Sequence, residues 1–202
     1  FQETEIVEMC RPVTKYAVMV TDWRQIRYEL EKAIFIARSG RPGPVLVDIP
    51  KNLQLAEIDF AYPEEIDLPG YSAEFPEAIA GVEAAADLVR HSQKPVLYVG
   101  GGVIKSEAHR ELLQLAEASR IPVVTTLMAR GAFPDDHELA LGMPGMHGNY
   151  TAITALQQAD LLIALGSRFD DRVTGKVDAF APVAKVIHVD IDPAEIGKVR
   201  RP

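Results

Sequence analysis

Residues Ala159 to Lys176 read ADLLIALGSRFDDRVTGK. The first seven form a short apolar run, the pattern of a strand buried on both faces. The eleven that follow carry three cations, two adjacent acids and two glycines. A buried strand that passes directly into charge and backbone freedom closes either a helix end or a ligand site. Ligands of open α/β sheets bind beyond the carboxyl ends of the strands, so this stretch sets both the fold and the place to look.

Outward from it the pattern repeats. "KPVLYVGGG" is a strand and a turn, "IPVVTT" a strand, "AKVIHVDID" a strand. Residues 76–91, 106–119 and 149–158 have helical spacing. Pro76 stands in the first turn of the first helix, and Ser106 is suited to cap the second. Strands near 95–99, 122–125, 161–165 and 185–190 with helices between them imply an α/β, doubly wound parallel sheet of Rossmann-like type. Upstream, Val13–Val20 reads as a strand. Thr21 or Asp22 is placed to cap a helix carrying Ile26, Leu30, Ala33, Ile34 and Ala37 on one face. Gly40 and Pro42 end that helix, and "GPVLVDIP" follows as a second strand. This is the C-terminal part of a preceding α/β domain. Residues 52–75, with Pro63, Pro69 and Gly70 among acids, read as a linker. The organisation is therefore 1–51, a linker over 52–75, and 76–202.

Composition narrows the function. The 202 residues carry a net charge of −8, which argues against nucleic acid as the main partner. The single cysteine, Cys10, rules out a disulfide within the chain and reads as a small buried residue. No stretch is long and apolar enough for a membrane span, no signal peptide is present, and a cytoplasmic location is expected. No second histidine stands at metal spacing from His147, so no metal is assigned. The chain opens on Phe1 within a charged phrase and closes at Arg201-Pro202 after a turn. Both ends read as cut from a longer protein.

The strand ends supply the candidate chemistry. They are Gly100-Gly101-Gly102, Thr125-Thr126-Leu127-Met128, Gly166 to Arg172, and Asp190-Ile191-Asp192. Together they offer bare backbone, hydroxyls, guanidinium groups and carboxylates, a set suited to a dinucleotide. Each has a plainer reading. The glycines can simply turn a strand into a helix, and Lys105 stands where a third fingerprint glycine would. Arg168 and Arg172 can pair with Asp170 and Asp171. Asp190 can cap a turn or accept hydrogen bonds from a ribose or adenine. In "GMPGMHGN", glycines flank Met146 and His147 and would let a flat group approach the backbone. Lys15, Arg41 and Lys51 can be solvated cations, and their spacing says nothing by itself.

FQET, SGRPGPVLVDIPK, PVLYVGGG, TTLM, GMHG, RFDDRVTGK and HVDIDPAEIGK occur in this order. Together they resemble the acetolactate synthase (acetohydroxyacid synthase) catalytic large subunits, a thiamine-diphosphate-dependent enzyme family. The resemblance covers the whole chain, and RFDDRVTGK is its most specific phrase. It implies that residues 1–51 end an N-terminal pyrimidine-binding domain and that 76–202 form most of a central FAD-binding domain. By resemblance Arg41, Gly100, Gly101, Gly102, Thr125, Leu127, Met128, Met146, His147, Gly166, Arg168, Asp170, Arg172, Asp190 and Ile191 would touch the FAD. Phe1, Gln2, Lys15, Lys51, Asp171 and Arg172 would border the substrate channel.

The implied reaction condenses two 2-oxo acids with decarboxylation, opening branched-chain amino-acid biosynthesis. Thiamine diphosphate and Mg2+ would be held by segments outside this stretch, so no catalytic residue is expected here and the stretch alone would be inactive. A homodimer or homotetramer with a small regulatory subunit is implied. The alternatives are another thiamine-diphosphate enzyme, such as glyoxylate carboligase or pyruvate oxidase, or a non-catalytic dinucleotide-binding module.

Overall fold

The computed structural model describes residues 3–59, 66, 68, 69, 71 and 80–202. The chain divides into two compact units, Phe1–Pro76 and Glu77–Pro202.

In the first unit the short helix α1 (Ile6–Cys10) runs into a 3-10 turn and then strand β1 (Tyr16–Met19). Helix α2 (Ile26–Arg38) returns the chain to β2 (Val45–Asp48), which pairs parallel with β1. Asp22 starts the α2 approach by accepting the Arg24 N–H, as its position predicts. Gly40, at φ 56°, provides the left-handed exit that its position also predicts. The first strand is shorter than expected, because Arg11–Val13 forms a 3-10 turn around Pro12. A short helix, α3 (Lys51–Gln54), occupies the start of the stretch read as linker. Most of 60–79 lies outside the described residues, including the proline turn expected at Pro76.

The second unit begins with α4 (Ala80–His91) and β3 (Pro95–Val99). It continues through α5 (Gly101–Lys105), α6 (His109–Ser119), β4 (Val123–Thr125) and β5 (Ala140–Gly142). Then come α7 (Tyr150–Gln158), β6 (Leu161–Leu165), α8 (Asp171–Thr174) and β7 (Lys185–Val189). The strands form one five-stranded parallel sheet in the order β5-β4-β3-β6-β7. The expected doubly wound sheet is present, with one more strand than the sequence announced. Strand β5 is only three residues long and ends on Gly142, which hid it in a glycine-rich stretch.

Strand alternation divides the core. Leu97, Val99, Val123, Leu161 and Ile163 face α6, which contributes Leu112 and Ala116, and α4, which contributes Leu88 and Val89. Val96, Tyr98, Val124, Leu162 and Ala164 face α7, through Ala152 and Leu156. Fully burying a leucine such as Leu97 or Leu162 contributes about 1.5–3 kcal/mol.

The helix expected over 106–119 is interrupted. The Ser106 hydroxyl does not cap a following helix. It donates back to the Gly102 carbonyl at 2.9 Å and so ends α5. Glu107 then takes φ 56°, and α6 starts afresh at His109.

The order of strands reverses direction between β3 and β6, the position where such sheets leave a crevice. Here the two loops meet backbone to backbone. The Gly100 N–H donates to the Leu165 carbonyl at 2.9 Å and the Gly102 N–H to Gly166 at 3.0 Å. A Cβ on Gly102 would stand 2.6 Å from the Gly166 Cα, and Gly166 itself has φ 55°. At the opposite edge Asp160, just before β6, accepts the Gln93 N–H at 2.6 Å and the Lys94 N–H at 2.9 Å. The same two strands are thus tied at both ends.

Two stability predictions follow. Desolvation by itself would raise the Asp160 pKa, but the Gln93 and Lys94 N–H groups outweigh it and hold it below the ordinary 3.8. A lowered folded-state pKa gives stability that is complete above the unfolded value and is lost as pH falls through the folded one. Both bonds are open to solvent, so Asp160→Ala should lower unfolding stability near neutral pH by only about 0.5–1.5 kcal/mol and flatten its decline below about pH 4, as read from denaturant melts. Gly166→Ala meets both the positive φ and the Gly102 backbone. It should destabilise by roughly 1–3 kcal/mol from the dihedral alone, and by more once the contact is counted, on the same measurement.

Candidate functional site

All five strands of the sheet are parallel, so their carboxyl ends lie along one edge. Each ending carries part of the predicted set. After β3, Gly100 to Gly102 open α5. Two of their three amide N–H groups are given to the last residue of β6 and the first of the loop after it. Gly100 and Gly102 are bare chiefly because the Gly166 backbone lies against them. A Cβ on Gly101 would lie 3.2 Å from the Met128 Cβ, which brings the loop after β4 alongside.

That second loop is a 3-10 turn over Leu127–Ala129. Leu127 and Met128 are 71% and 73% exposed, although both are large and apolar, while Ala129 is buried. Thr125 differs from its neighbours. It is buried, and its hydroxyl accepts from the Arg130 guanidinium at 3.0 Å. Arg130 also pairs with Asp135. The Thr125 side chain therefore supports the loop, and Arg130 braces it.

After β5, residues 143–149 close on themselves. The Asn149 side-chain oxygen accepts the Met143 N–H at 2.9 Å, and the Asn149 N–H donates to the Met143 carbonyl at 2.7 Å. The flanking glycines serve this closure. Gly142 and Gly145 have φ 89° and 104°, and a Cβ on Gly148 would strike the Met143 carbonyl. Met146, 70% exposed, and the exposed His147 are held out from this ring. The Met146 N–H donates to the Arg172 carbonyl at 3.3 Å, so the loop reaches α8. Between them lies an open depression of ≈ 360 Å³, lined by Met146, Ile153, Asp171, Arg172 and Val173.

After β6 the charged phrase resolves into separate tasks. Asp170 is the N-cap of α8, its Oδ1 accepting the Arg172 N–H at 3.0 Å. Arg168 stands 3.5 Å from the other Asp170 oxygen, with both side chains well exposed. The Arg172 guanidinium is exposed and has no ion-pair partner among the described residues. Arg168 thus follows the plain reading of an intraloop pair in part, and Arg172 does not. After β7, Asp190 accepts the Asp192 N–H at 2.9 Å, the turn-forming alternative. Ile191 beside it is exposed.

The remaining predicted residues are in the first unit or outside the description. Lys15 donates to the Ile36 carbonyl and, at 2.6 Å, to the Ser39 carbonyl, and so satisfies the end of α2. Arg41 is exposed on the turn after α2, and Lys51 is exposed at the start of α3. Phe1 and Gln2 lie outside the described residues.

Three supporting side chains went unread in the sequence. Tyr98 is buried beneath the loop after β6, Ser167 is buried within that loop, and His188 sits beside them on β7. Burial pushes the Tyr98 phenol up, against a smaller lowering by Ser167, so it remains protonated and able to donate. The available signal was a polar ring inside an otherwise apolar strand, as in "AKVIHVDID". Among the described residues no cluster of three metal-ligating side chains occurs, and no helix is long and apolar enough to cross a membrane.

Comparison with known proteins places this geometry. The family described as thiamine pyrophosphate enzyme, central domain, matches residues 82–202. The chain is 59% identical over 201 residues to the acetolactate synthase large subunit of Corynebacterium glutamicum, covering 100% of this chain and 32% of that protein. It is 58% identical over 200 residues to a Mycobacterium tuberculosis acetolactate synthase large subunit, covering 99% and 32%. It is 52% identical over 204 residues to the chloroplastic acetolactate synthase 1 of Zea mays, covering 100% and 32%. The chain therefore spans about a third of the length of these relatives. With a parallel sheet over the matched residues and relatives of this kind, the chain belongs to the thiamine pyrophosphate enzymes, and its second unit is their central domain.

Proposed function

We propose that this chain is the middle of an acetolactate synthase catalytic subunit, and that its sheet edge binds FAD. The observation that carries the first part is the 59% identity to such a large subunit across the full chain. On this reading residues 1–51 end the pyrimidine-binding domain, 52–75 connect, and 76–202 are most of the central domain. The intact enzyme joins two 2-oxo acids with loss of carbon dioxide on thiamine diphosphate. That cofactor and its Mg2+ are held by other segments, and a small regulatory subunit accompanies a homodimer or homotetramer.

The chemistry of the edge supports the second part. FAD joins a flat apolar ring system to a dianionic diphosphate and an adenosine. Leu127, Met128 and Met146 are apolar side chains that the fold leaves in solvent at this edge, which suits the ring. Arg172, unpaired among the described residues, and Arg168 are cations suited to the diphosphate. The Gly101 N–H adds a backbone donor at the start of α5. Asp190 retains a second carboxylate oxygen for the adenosine end. When bound, the flavin supplies a rigid body that orders these loops rather than net electron transfer. His147, Gly166, Asp170 and Ile191 line the same edge, with Asp170 acting through its cap on α8. Thr125 acts through Arg130. On the same reading Asp171 and Arg172 would border the substrate channel.

The purified full-length enzyme should show a flavin absorbance spectrum and convert pyruvate to acetolactate. Acetyl phosphate without acetolactate would instead assign it to the pyruvate oxidases, and a colourless active enzyme would remove the flavin from the scheme. Arg172→Ala should weaken flavin retention by about 1.5–3 kcal/mol, the usual size of a charge-assisted hydrogen bond. FAD occupancy that survives dialysis unchanged would take Arg172 out of the site.

A further inference from the structure

Tyr98, Ala164 and His188 stand in one lateral row across β3, β6 and β7, each in register with its neighbour. They share a sheet face, because paired residues of adjacent parallel strands point the same way. The middle member contributes only a methyl group. Phe169, four residues after β6, is buried with its ring 5.6 Å from Tyr98 and 5.4 Å from His188, edge-on to the latter at 87°. The loop after β6 therefore folds back between the two outer rings.

The polar atoms of the same rings meet the loop's backbone. His188 Nε2 lies 3.1 Å from the Ser167 carbonyl oxygen. A carbonyl can only accept, so Nε2 carries the hydrogen and donates. Its Nδ1 is buried without a partner among the described residues. The Tyr98 hydroxyl donates to the Arg168 carbonyl, over a long 3.5 Å. Ser167 and Phe169 are buried on either side of Arg168, whose side chain is left exposed at the carboxyl edge.

We propose that His188 is a positioning residue for the cofactor edge. By donating from Nε2 to the Ser167 carbonyl, and with Tyr98 bracing the next carbonyl, it fixes the Gly166–Phe169 turn so that the Arg168 guanidinium faces a diphosphate ligand. This rests on the FAD reading above. His188 touches neither ligand nor substrate. It acts through the peptide between Ser167 and Arg168, and its orphaned Nδ1 shows that the ring is held for the other nitrogen and for its contact with Phe169. A hydrophobic residue here would pack against Phe169 but would take the Nε2 donor away from the carbonyl of buried Ser167, so the hydrogen bond is what the imidazole adds at this place.

The test compares FAD dissociation constants, by flavin fluorescence on the full-length enzyme, for wild type, His188→Gln and His188→Leu, with melting temperatures alongside. The glutamine amide reaches the Nε2 place and should bind FAD within about threefold of wild type. The leucine variant should bind at least tenfold more weakly while still melting cooperatively. Should the leucine variant not fold, His188→Asn, whose amide stops short at the Nδ1 place, serves as the donor-less comparison and should show the same tenfold loss. Wild-type affinity in the leucine or asparagine variant, or equal losses in the glutamine variant and the donor-less one, would overturn the hydrogen-bond role while leaving the FAD reading intact. A wild-type enzyme that binds no FAD at all would instead overturn that reading, and this inference with it.

Discussion

The second unit is organised around one close approach, the crossing of the backbones at Gly100–Gly102 and Gly166. Two amide hydrogen bonds hold it, at 2.9 and 3.0 Å, and no side chain of either segment intervenes. The approach is possible because Gly102 lacks a Cβ and Gly166 occupies positive φ at no steric cost. It joins the two central strands at the point where the winding of the sheet reverses. From there each outer loop is fixed by contact with an inner one. Met128 lies against Gly101, and the Met146 amide reaches the Arg172 carbonyl. The edge is one connected frame rather than a row of independent turns.

Much of this was legible in the sequence, for an identifiable reason. Strands buried on both faces read as uninterrupted apolar runs, and 95–99 and 161–165 are found where those runs stand. Asp22 and Gly40 act where their local chemistry places them, because capping depends on neighbours within a few residues. What stayed hidden depended on distant partners. The glycines after β3 read either as a plain turn or as a cradle for a ligand, and two of their amides serve the end of β6 and the loop after it, some 65 residues along the chain. Ser106 looked like a cap because serines commonly are, and here it back-bonds within α5. Strand β5 is too short to carry a period and exists only by pairing with β4.

The candidate site divides along the same line. The strand-end rule located its members, since parallel strands leave no choice about which edge their loops share. It could not sort groups left exposed at that edge from those that build the loops. Thr125, Asp170 and Asp190 all carry hydrogen-bonding side chains at the right edge, and all three are engaged by the protein itself. Leu127, Met128 and Met146 are distinguished instead by exposure, a property that depends on the finished packing. Lys15 shows the same limit in the first unit, where an isolated cation proves to be the partner of helix-end carbonyls.

The closed ring of residues 143–149 bears on how such an edge can change over time. Its shape is set by main-chain bonds to Asn149 and by glycine dihedrals, while Met146 and His147 project from it without holding it together. Form and chemistry are thus carried by different atoms. Exchanging the projecting groups would redraw the exposed face of this edge and leave the scaffold where it stands, so single substitutions there carry little risk of unfolding.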